Sequence, residues 1–145
     1  MSEQNTFEGL KNLAYRTIES NAIRAKNRKL KLVVNGVVIF LAPSDLGYLA
    51  SIVAEKSLNQ EYEDLITIEF VRNDMPMLDV TKLSINAIRS LCRELRSFSQ
   101  RIDLLASTNI HKVEMCKNQD ELIELIDSII KSEEKIESDY RSSLE

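Results

Sequence analysis

Apolar residues recur along this chain at two periods, and each change of period marks a new element. Phe7, Leu10, Ala14 and Ile18 fall three and four residues apart, one stripe of a helix over residues 3–24. After a basic run the pattern changes in KLKLVVNGVVIFLA, residues 29–42, where two β-branched runs flank Asn35-Gly36. That dipeptide accepts the positive φ needed at both central positions of a two-residue turn, so a hairpin is predicted. Pro43 stops its second strand. Ser44 is the expected cap of a helix running to about Leu58, with Leu46, Leu49, Ile52 and Val53 on its apolar side. A polar connection, residues 59–64, leads to the alternation of LITIEFV, with Ile66, Ile68 and Phe70 on one face and Thr67 and Glu69 on the other.

Beyond that strand, Asn73-Asp74 marks a turn, and Pro76 bars a central strand directly after it. MLDVTKLSINAIRSLCREL, residues 77–95, reads as a polar corner at Asp79–Leu83 that opens a long helix over 83–98. The stripe of that helix is Ile88, Leu91, Cys92, Leu95 and Phe98. Its cap is expected at Asp79 or Thr81, or at Ser84 if the helix starts later. RIDLLA, residues 101–106, reads as a short strand and KVEMC, residues 112–116, as a weaker one. Leu122, Ile123, Ile126, Ile129 and Ile130 trace a final helix, and the tail from Lys131 is either a charged continuation or disordered. The predicted order is α-β-β-α-β-α-β-β-α, a small mixed β-sheet with packed helices. An N-terminal helix and basic linker fill 1–29, an α/β domain 30–131, and a charged tail 132–145.

With this order, FVRNDMPMLDVTKLSINAIRSLCRELRSFSQRIDLLAS resembles the core of the STAS domain, the family that includes the anti-sigma-factor antagonists. Laid over the family's strand, Asp-containing turn, helix and strand without a gap, it puts Asp79 at the motif aspartate and Leu83 at the motif leucine. The resemblance spans roughly residues 30–130. It implies a regulatory α/β domain that binds another protein through the turn and the helix after it, with the N-terminal helix as an addition. Val80 stands where phosphorylated members carry the modified hydroxyl, leaving Thr81 as the nearby substitute. Lys82 replaces the motif glycine, where positive φ would cost about a kcal/mol or more. The family also places a helix between its last two strands, and Ser107 to His111 is too short for one. KVEMC therefore pairs antiparallel to RIDLLA or lies outside that sheet.

Composition narrows the classes further. The 145 residues are 43% hydrophobic and 29% charged, enough for one sizeable core, and the net charge of -4 argues against wholesale coating of nucleic acid. No apolar run approaches the twenty or so residues of a membrane span, and MSEQNTFEGL lacks the pattern of a secretory leader. Cys92 and Cys116 stand far apart without a CxxC, which fits two reduced thiols in the cytoplasm.

Candidate chemistry is sparse. His111 is the only histidine, three glycines form no phosphate cradle, and no GxSxG elbow is present, so neither metal, cofactor nor catalytic centre is expected. Arg89, Arg93 and Arg96 line one helical face, with Lys82 near its start, a surface suited to an acidic helix or phosphates. Phosphate on Thr81 would gain from the helix N-terminus and Lys82. The expectation is a non-enzymatic regulator or adaptor that binds protein through loop 73–82 and helix 83–98, using Asp79, Thr81, Lys82, Arg89, Arg93 and Arg96. The alternatives are a nucleic-acid-associated protein using Arg24, Lys26, Arg28 and Lys29, and a structural subunit that self-assembles through its terminal helices.

Overall fold

The computed structural model describes residues 3–58, 65–71 and 78–143, so the connection 59–64 and the turn expected at Asn73-Asp74 and Pro76 lie outside the described residues. Among them the chain is mixed α/β: four helices and two antiparallel two-stranded sheets. The order is α1 (Glu3–Lys26), β1 (Leu30–Val34), β2 (Val37–Leu41), a 3-10 turn at Pro43–Asp45, α2 (Leu46–Leu58), β3 (Ile66–Val71), β4 (Leu78–Leu83), α3 (Ile85–Met115) and α4 (Gln119–Ser143). Contacts divide it into two units, residues 26–100 and residues 1–25 with 101–145. α3 gives its first half to one unit and its second half to the other.

In the 26–100 unit, Asn35 (φ 51°) and Gly36 (φ 78°) close the first hairpin as predicted. The resulting register sets Leu32 against Ile39 and Leu30 against Leu41 on the buried side. Asp45, rather than Ser44, organises the exit to α2. Its Oδ2 accepts the Ala42 N–H at 2.7 Å and the Lys29 ammonium at 2.8 Å, tying the start of β1 to the end of β2. The strand predicted at Ile66–Val71 is present, with Ile66, Ile68 and Phe70 buried in alternation. These side chains join Leu49 of α2 and Ala87, Ile88, Leu91, Cys92 and Leu95 of α3 in one core.

The polar corner expected at 79–83 is instead strand β4, paired antiparallel with β3 from Val71↔Leu78 to Ile66↔Leu83. Apolar alternation conceals it because Leu78 and Val80 face outward and only Leu83 reaches the core. Its β-branched Val80-Thr81 pair is the signal that remains. Loop 73–82 is thus strand from Leu78 onward, and α3 begins after it, with Ser84 Oγ accepting the Ala87 N–H at 3.2 Å. Neither Asp79 nor Thr81 is the cap.

The other unit is built from helices. The strands expected at 101–106 and 112–116 are both part of α3. Ile102, Ala106 and Val113 continue the spacing begun at Leu91 and Leu95, and no glycine or proline follows Pro76 to end the helix. The second strand of the STAS-type pattern is therefore helical here. α3 stops at Met115, and α4 opens on a cap pair: Asn118 Oδ1 accepts the Glu121 N–H at 3.0 Å, while Glu121 Oε2 accepts the Lys117 N–H at 2.7 Å. Ala14 and Ile18 of α1 pack with Val113, Leu122, Ile126 and Ile129. The charged tail is a continuation of α4 through Ser143.

Candidate interaction surface

Strand geometry separates residues that sequence reading had grouped. Asp79 and Thr81 share the β4 face of buried Leu83 and are half-buried, whereas Lys82 is exposed on the opposite face with Leu78 and Val80. Thr81 lies across from Ile68, which is fully buried, so its hydroxyl sits on the core side of the hairpin rather than on a free corner. Asp79 turns back on its own strand, its Oδ1 accepting the Val80 N–H at 3.2 Å.

On α3, Arg89, Arg93 and Arg96 are all exposed, on the face opposite Ile88, Leu91 and Leu95. Their spacing of four and three puts them along about 10 Å of helix axis, within one sector of its circumference. Among the described residues neither Arg89 nor Arg93 forms an ion pair. Like charges one turn apart cost a helix a few tenths of a kcal/mol, which a bound anion would reverse.

The basic segment behaves differently. Arg24 meets Glu133 at 3.9 Å, Lys29 meets Asp45 at 2.8 Å, and Lys26 and Arg28 are engaged as well. Two of the charges that looked available for phosphates, Arg24 and Lys29, are already paired within the protein. Arg24, Glu133, Glu137 and Arg141 also line a groove of about 370 Å³ along α4, where Arg141 meets Glu137 at 3.6 Å. Positive and negative groups mix there, and no one charge of ligand is selected.

Both cysteines are free. Burial pushes the Cys92 thiol above its ordinary value, partly offset by the Arg96 guanidinium. The Cys116 thiol is raised by burial and then by Glu121, against Lys11, and donates to the Lys112 carbonyl at 3.3 Å. Such thiols are held in the protonated, poorly nucleophilic form. Among the described residues no three His, Cys, Asp or Glu side chains are grouped to hold a metal, and no helix is long and apolar enough to cross a membrane.

Sequence reading missed the outward apolar patch of the second hairpin, Val71, Leu78 and Val80, which are 44%, 57% and 54% exposed. It missed Tyr48 too, whose hydroxyl accepts the Glu69 N–H at 3.2 Å on the β3 edge. No family model, curated protein or solved structure matches this chain.

Proposed function

We propose that the protein is a non-enzymatic cytoplasmic adaptor or regulator that docks an acidic segment of another protein on the α3 face formed by Arg89, Arg93 and Arg96. The observation behind this reading is the contrast in charge use: Arg24 and Lys29 are ion-paired within the protein, while the guanidinium groups of Arg89 and Arg93 stand exposed in one row without an ion pair among the described residues. Planar guanidinium groups donate paired hydrogen bonds to carboxylates, each charged bond contributing about 1.5–3 kcal/mol. A row of about 10 Å matches one side of a short acidic helix. It is too short for the many phosphate contacts that carry affinity for a duplex.

The test is affinity capture from the source cell at low and high salt, with the wild-type chain beside Arg89→Glu/Arg93→Glu. A specific protein should be retained at low salt, released at high salt and absent with the double variant, whose melting temperature should match the wild type. A partner set unchanged by the double variant contradicts the reading, and recovery of nucleic acid in place of protein replaces it.

A further inference from the structure

The second hairpin has an open edge whose backbone groups can be assigned. Glu69 of β3 faces Val80 of β4. The Glu69 N–H donates to the Tyr48 hydroxyl at 3.2 Å, and the Val80 N–H donates to Asp79 Oδ1 at 3.2 Å. Neither amide is used between the strands, so this is a non-hydrogen-bonded pair of the antiparallel ladder. By the two-residue period, the N–H and C=O groups of Leu78, Val80 and Lys82 point away from β3. Among the described residues no strand lies along that side. Such an edge templates pairing unless something blocks it. On the β3 side the block is a tyrosine from α2. On the β4 side it is the neighbouring residue's own carboxylate, which a competing strand can displace.

We infer that β4 pairs edge to edge with β4 of a second copy, antiparallel and centred on Val80, so that two hairpins join into a four-stranded sheet. A two-fold axis through an antiparallel pair requires some residue to face itself, and the sequence discriminates among the choices. Centring on Asp79 or on Lys82 would set like charges against each other. Centring on Thr81 would put Asp79 across from Leu83, which is buried. Centring on Val80 pairs Val80 with its twin and Leu78 with the aliphatic stem of Lys82 on the outer face. On the inner face it pairs the Asp79 carboxylate with the Thr81 hydroxyl. Of the four registers compared, that one gives every residue from 78 to 82 a compatible neighbour. The Val80 N–H then donates to the Val80 carbonyl of the second copy, and Asp79 turns to the Thr81 hydroxyl it faces.

The contact is short, below the roughly 1,200 Å² of a stable interface, so dimerisation should depend on concentration. It uses neither Arg89 nor Arg93, so its failure would leave the docking proposal standing. Sedimentation of the full chain across micromolar to millimolar concentrations, beside Val80→Pro, tests it. Proline at 80 removes an N–H aimed away from β3 and leaves the hairpin ladder whole. The wild type should shift from one chain toward two, and Val80→Pro should associate at least tenfold more weakly with an unchanged circular dichroism spectrum. A wild type that stays monomeric throughout, or a folded Val80→Pro that dimerises equally, overturns the inference. If Val80→Pro does not fold, hydrogen exchange on the wild type decides. Protection of the Val80 and Lys82 amides should rise with protein concentration, and independence from concentration overturns the inference.

Discussion

The two units differ in how much they bury. The 26–100 unit gathers thirteen buried side chains, from both hairpins, α2 and α3, whereas the helical unit gathers six. The charges diverge as well: ten bases to nine acids in the first, nine to fourteen in the second. Sheets anchored on a helix offer the denser core, and that core holds the α3 arginines in fixed positions. Stability and candidate function therefore fall in the same unit.

The largest expected effect is a cavity in each core. Leu95 is fully buried, so Leu95→Ala should cost toward the upper end of about 2–5 kcal/mol, while Ile129→Ala, at the smaller core, should cost toward the lower end. Urea denaturation followed by circular dichroism measures both, and the reverse order would break the comparison. Next comes the first hairpin. Nothing lies near the Gly36 Cβ position, so Gly36→Ala should cost about 1–2 kcal/mol from its φ of 78° alone, with no loss of core packing.

Smaller effects come from the caps. Ser84→Ala, at the start of α3, and Asn118→Ala, at the start of α4, should each cost about 1 kcal/mol. The Ser84 loss should lower hydrogen-exchange protection within 85–100 and the Asn118 loss within 119–130. Smallest is the alkaline response. Folding raises both thiols, so it favours the protonated form. That contribution is complete below the ordinary thiol value and is lost as pH rises through the folded one. Stability should decline above about pH 8.5–9, and Cys92→Ala should decline less steeply than the wild type. At neutral pH iodoacetamide should modify half-exposed Cys116 before buried Cys92, as peptide mass mapping would show.

Legibility in the sequence cut across that division. Where turn chemistry and burial agree, as at Asn35-Gly36 and in Ile66–Val71, pattern alone placed the elements. β4 was hidden because two of its three aliphatic residues face out, reversing the usual relation between hydrophobicity and burial. The 101–116 strands arose from reading Leu104-Leu105 and Val113 in short windows. The helical period is clear only when followed from Leu91 to Val113 without interruption. The arginine row was legible because it depends only on helical spacing. The engagement of Arg24 and Lys29 was not, since their partners, Glu133 and Asp45, are distant in sequence.

Capture from the source cell with matched charge reversals in the two units tests the assignment of function most directly. Arg89→Glu/Arg93→Glu alters the α/β unit, and Glu124→Lys/Asp127→Lys alters an exposed acidic face of α4. The specific protein partner should be lost with the first variant and kept with the second. Loss with the α4 variant alone, or with neither, would contradict the account.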